Sequence, residues 1–220
     1  ELEQQVLPEE EETLHLLINN FFLVEIAYEE LVRRLRSNHG ALGYIRCKGG
    51  TMSRIRLLAL EMLNRYNSVL GSEQIIEFLQ QSQEKEALLM NEIWLIHDVL
   101  SLEIIGGLSR LLRTLKARLQ KHHAIDRINR AVLEGGDIEE WKAAIRGCVF
   151  GPGGKLDAEA VEYICISLRD LNGRATLPQQ WLSQYMVTQG YELDQVITGA
   201  HRRRAEERVF TQNAFASLIN

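Results

Sequence analysis

The stretch of this chain closest to a nucleotide site is Gly151-Pro152-Gly153-Gly154-Lys155. Glycine-rich phosphate loops work because wrapped backbone N–H groups point at the anion, a lysine reaches the outer phosphates, and a following hydroxyl holds magnesium. Here Gly151 stands three residues before Gly154, and Leu156 follows the lysine where a serine or threonine is needed. The preceding segment, residues 141–148, has a helical pattern rather than a strand's. The stretch reads as a turn between two helices, with Asp157 as the cap of the second.

Other candidates for chemistry are sparse. His122 and His123 are adjacent, so on a helix they point about 100° apart and cannot share a metal as an i,i+4 pair would. His15, His39, His97 and His201 have no Cys, Asp or Glu cluster at ligand spacing. Cys47, Cys148 and Cys165 are odd in number and far apart, which fits neither a disulfide framework nor a zinc site and favours a reducing compartment. Paired carboxylates such as Glu29-Glu30 and Glu139-Glu140 read as solvated helix faces or caps, and Glu61 is a lone carboxylate on an apolar helix. No serine elbow is present. The sequence assigns no catalytic residue, no metal ligand and no cofactor.

Positive charge is the more informative signal. Arg46, Lys48, Arg54 and Arg56 surround a glycine-rich connector without an acid between them. Arg110, Arg113 and Lys116 belong to a second basic run, beside a leucine stripe at 108, 111, 112, 115 and 119, and Arg202, Arg203 and Arg204 form a third. Such groups can hold an acidic protein partner or a phosphate backbone. An exposed arginine, Arg46 or Arg54, could also stabilise charge in a GTPase regulator or helical enzyme. The overall charge of −5 argues against wholesale coating of nucleic acid.

The elements that must position these residues are helices. Apolar residues recur at helical spacing nearly throughout, and strand-like alternation is scarce. The reading is all-α: a multi-helix bundle over residues 1–135, and a C-terminal subdomain of shorter helices over 136–220. Pro8 opens a helix expected to run to Arg36, with apolar residues on more than one face and so a central place in the bundle. Further helices are expected over 52–70, 73–81, 84–100 and 102–119, and one ends near Glu134. Gly135-Gly136 stops that helix and Asp137 caps the next. The last third divides into 137–147, 157–171, 178–189, 192–206 and 211–219.

Two resemblances follow from particular residues. Ile128, Asn129, Ala131, Gly136 and Asp137, within residues 101–145, resemble the helical repeat of IQGAP scaffolds, with one extra residue between Ala131 and Gly136. That resemblance implies scaffolding. The outline helix, glycine turn, Leu156, helix within residues 138–219 resembles a degenerate EF-hand. With Gly154 at the turn position, Val149, Gly151, Gly153 and Ala160 fall where calcium ligands belong, and none is a carboxylate.

No run reaches the length of a membrane span, and the chain begins on Glu1, as a processed or partial chain does. The sequence therefore points to a non-enzymatic cytoplasmic interaction or regulatory module with a protein partner, and alternatively to a nucleic-acid or anionic-partner binder.

Overall fold

A computed structural model describes residues 7–37, 43–47, 50–169 and 176–219. Among the described residues the chain is all-α apart from one hairpin, and no helix there is long and apolar enough to cross a membrane. Two compact units are present, residues 7–112 with 207–219, and residues 113–206.

The first unit opens with α1 (Pro8–Asn19) and α2 (Phe21–Ser37). The sequence reads as one helix here, but Asn20 interrupts it. Its side-chain amide donates to the Leu16 carbonyl at 2.9 Å, and its backbone leaves helical geometry at φ −109° and ψ 11°. Short amides compete with the helix ladder in this way. The connector then forms a hairpin, β1 (Tyr44–Cys47) and β2 (Gly50–Ser53), paired antiparallel from Tyr44 opposite Ser53 to Cys47 opposite Gly50. Strands of four residues leave little alternation to read. Next come α3 (Arg54–Arg65) and α4 (Ser72–Gln83). Ile55, Ala59 and Met62 of α3 follow helical spacing and bury against Phe78 and Leu79 of α4 and Ile96 and Leu100 of the following helix.

That helix, α5, runs unbroken from Met90 to Leu133 and supplies residues to both units. Separate helices over 84–100 and 102–119 are the expectation from sequence, yet no break falls at Ser101, and Gly106-Gly107 lie inside the same helix. A glycine inside a helix costs about 1 kcal/mol. Packing supplies the compensation at Gly107, where an added Cβ would lie 2.6 Å from the Phe210 ring. Phe210 belongs to α9 (Leu193–Ile219), which is also continuous. The break expected before Thr211 is absent, and that buried hydroxyl instead donates to the Glu207 carbonyl at 2.8 Å.

Glu92, in the first turn of α5, is fully buried. It accepts from the Leu89 N–H at 2.8 Å, the Gly43 N–H at 3.2 Å and the Arg54 guanidinium. Burial alone would raise its carboxyl pKa; the hydrogen bonds from Arg54, Leu89 and Gly43 outweigh that and hold it below the ordinary value. Gly43 has no room for a side chain, since a Cβ would stand 2.9 Å from the Glu92 Oε1.

In the second unit, α6 (Ile138–Val149) starts at Asp137, whose carboxylate accepts from the Glu139 N–H at 2.9 Å. The Gly151–Lys155 stretch is the expected turn. Gly153 and Gly154 adopt φ of 78° and 72°, the Gly151 N–H donates to the Lys155 carbonyl at 2.8 Å, and Asp157 caps α7 (Ala158–Arg169) through the Ala160 N–H at 3.0 Å. Helix α8 (Thr176–Thr188) packs against α7. Asn129 of α5 joins these layers, accepting from the Trp141 indole at 2.9 Å and donating to Ser167 at 2.8 Å.

Glu162 of α7 is fully buried and receives a two-pronged pair from the buried Arg204 of α9, with His201 3.1 Å away. Beside it the His122 ring lies flat on Tyr163, centroids 3.7 Å apart, and the Tyr163 hydroxyl donates to Asp126 at 2.9 Å. Burial, with Arg118 and Arg204 nearby, lowers the His122 pKa to about 3.

Two predictions follow from these buried groups. Replacing Glu92 with glutamine leaves Arg54 with the exposed Glu86 as its remaining acidic partner, and breaking so largely buried a pair should cost about 2–3 kcal/mol. Urea unfolding of Glu92→Gln should show that loss, and a change below about 1 kcal/mol would contradict the role given to the pair. His122 is neutral in the fold but takes a proton in the unfolded chain below its ordinary value of 6.5. Its contribution is complete above pH 6.5 and is lost as pH falls toward about 3. At pH 5 the loss is about 2 kcal/mol. His122→Phe, which can keep the stack, should lose that much less stability than the parent between pH 7.5 and 5; an unchanged acid sensitivity would refute the assignment.

Candidate interaction surface

Helices α1 and α2 bury one side and leave large apolar residues on the other. Leu17 and Leu31 are buried, whereas Ile18, Phe21, Phe22, Ile26 and Tyr28 are each more than half exposed. The central place expected for this segment is thus only partly met. Phe22 and Ile26 lie one turn apart on α2, the spacing of neighbours along one ridge of a helix, and Ile18 precedes them on α1. Glu25 and Glu29, also exposed, form a parallel row beside Phe22 and Ile26.

A cleft of about 300 Å³ lies against this row, between α2, α5 and the end of α9. Leu23, Ile26, Ala27, Leu31 and Leu218 form its apolar wall. Its polar end is a charge cluster in which Arg34 donates to Glu30 at 2.7 Å and to Asp98 at 3.2 Å, with the His97 Nδ1 3.4 Å away. The Asp98 side chain is nearly buried while Arg34 and His97 stand about half exposed. Trp94, 65% exposed, precedes His97, Asp98 and Ser101 at three, four and seven residues and so shares their face of α5. An apolar wall ending in oriented polar groups is the composition of a recognition groove.

The basic residues expected to form a site do not gather into one. Arg46 is exposed on β1 opposite Thr51, and Lys48 lies outside the described residues. Arg54 pairs with Glu86 and Glu92, with its side chain only 11% exposed, and Arg56 pairs with Glu103. Hydrogen bonding to Glu92 raises the Arg54 pKa further, so its charge is permanent and already matched. Arg110, Arg113 and Lys116 are exposed along α5. The last cluster splits by helix geometry: Arg202 pairs with Glu206 one turn on, Arg203 approaches Glu159 at 4.0 Å, and Arg204 is buried on Glu162.

Two of the three cysteines, Cys148 and Cys165, are held as thiols. Burial raises the Cys165 thiol to about 11 and moves Cys148 in the same direction, so both are protonated at neutral pH. Glu61 faces solvent at the edge of a shallow cleft. No group of three or more His, Cys, Asp or Glu among the described residues has metal-site geometry. No protein-family model matches the chain, and no curated protein matches it.

Reasoning from sequence missed the residues that line this surface: Phe22, Ile26, Arg34, His97 and Asp98. The available signal was the excess of apolar residues between Leu14 and Leu35 over what one buried stripe requires. The contrast between the two sides of α2 is measurable. Ile26→Ser should change stability by no more than about 0.5 kcal/mol. Leu31→Ala, at a site 3% exposed, should cost about 2–5 kcal/mol. Equal losses for the two variants would mean that Ile26 is packed rather than displayed.

Proposed function

We propose that this chain is a non-enzymatic helical interaction module that docks a protein partner on α2 and the α2–α5 cleft, in a scaffolding or regulatory role. The observation that carries the reading is the exposure of Phe22 and Ile26, 54% and 53%, directly beside an amphipathic cleft that Ile26 itself lines. Isolated apolar residues on a surface are ordinary, whereas a row of them flanking a groove with charged groups at its end is the anatomy of a contact site. The large side chains would serve as anchors, and the Arg34–Asp98 pair would orient polar groups of the partner. The internal pairing of Arg54, Arg56, Arg202 and Arg204 supports this reading over one that grips nucleic acid through the basic clusters.

The test is capture from lysate on the immobilised protein, with nuclease, at low and moderate salt, using the parent and a Phe22→Ser/Ile26→Ser variant. The expected result is a discrete protein retained through nuclease and salt by the parent and lost from the variant. Retention by both would remove the site from α2. Loss of all bound material on nuclease treatment would transfer the function to Arg46, Arg110, Arg113 and Lys116.

A further inference from the structure

We infer that the partner segment on this surface is a basic amphipathic helix, an inference that rests on the docking reading above and adds the chemistry of the occupant. Charge is the first argument. Between Leu7 and Val32 the sequence contains seven glutamates and no lysine or arginine. Glu11, Glu12, Glu25, Glu29 and Glu30 are exposed on α1 and α2. Arg33 is exposed one turn after Glu29, Arg34 is matched by Glu30 and Asp98, and Arg208 pairs with Glu12. The exposed charges immediately beside Phe22 and Ile26 are Glu25 and Glu29, which sit where they would meet cations flanking an apolar anchor.

Spacing is the second argument. Phe22 and Ile26 stand four positions and about 6 Å apart on α2, the same step as two neighbours on one ridge of a partner helix, so a helix can seat its own apolar pair against them. An extended peptide would need a sheet edge to add to, and neither α1 nor α2 supplies one. The same charges exclude other occupants. A second copy meeting this face symmetrically would set Glu25 and Glu29 against their counterparts, and anionic lipid or nucleic acid would be repelled.

The probe is a labelled synthetic helix of about 18 residues, or five turns, with leucines at i, i+3, i+4 and i+7 and lysines elsewhere. Its comparator keeps the leucines and carries glutamate in place of lysine. Anisotropy titrations would use the parent, Phe22→Ser/Ile26→Ser, Glu25→Lys/Glu29→Lys, and Glu77→Lys/Glu84→Lys, a reversal of equal charge at exposed sites on and just after α4. Circular dichroism confirms that each variant is folded. We expect the lysine helix to bind the parent and the glutamate helix not to. Binding should weaken about tenfold in both the apolar and the Glu25/Glu29 variants, and by less than about twofold in the α4 control. If the apolar variant weakens binding and the Glu25/Glu29 variant does not, the docking reading stands and the basic-helix inference fails. If neither weakens it, both fail. Equal loss in the α4 control, or a dimer by sedimentation that the apolar variant dissolves, would overturn the inference in favour of bulk charge or of a second copy.

Discussion

Two carboxylates without access to water, Glu92 and Glu162, set the terms for the elements around them. An ionised carboxylate in a protein interior must be matched by charge and hydrogen bonds, or it forces its surroundings open. Glu92 meets that requirement only if Gly43, Leu89 and Arg54 converge on it, which ties the base of the hairpin, the start of α5 and the start of α3 to one point. Glu162 meets it through Arg204 and His201, which ties α7 to α9 within the second unit. Neither pair is a strong source of net stability, because desolvation offsets most of the attraction. Their effect is on specificity, since any other placement of these segments would strand a charge.

This constraint redistributes the positive charge of the chain. Clusters that look continuous in sequence separate once Arg54 and Arg204 turn inward and Arg56 and Arg202 find acids on their own helices or across the unit. Positive surface thins, and although Glu12 and Glu30 pair with Arg208 and Arg34, Glu25 and Glu29 stay exposed beside Phe22 and Ile26. The acidic character of the α2 face thus follows from where the arginines are needed.

Much of the architecture was legible from local chemistry. Pro8, Asp137 and Asp157 open helices where their types say they should, and Gly153 and Gly154 take the positive φ of a turn. The helix expected over 52–70 forms as α3 over Arg54–Arg65. What was not legible is what depends on distant partners. Arg54 and Glu92 are 38 residues apart and Arg204 and Glu162 are 42, so neither pairing leaves a mark in any local window. The close approach of Phe210 to Gly107 also joins positions far apart in the sequence. Likewise the segment from Leu14 to Leu35 shows too many apolar residues for one stripe, but composition alone does not say which of them face inward.

Helix α2 has its anchoring on one side, through Leu31 and the Arg34–Asp98 pair, and that leaves its outer side free of any structural duty. An exposed row containing Phe22 and Ile26 adds nothing to folding and invites association. The flanking Glu25 and Glu29 answer that hazard, because like charges oppose the approach of an identical face. The same two residues would attract a partner of opposite charge. A single acidic row can therefore suppress self-association and select a partner at once, which gives a physical reason for an apolar ridge and a run of glutamates to share one helix.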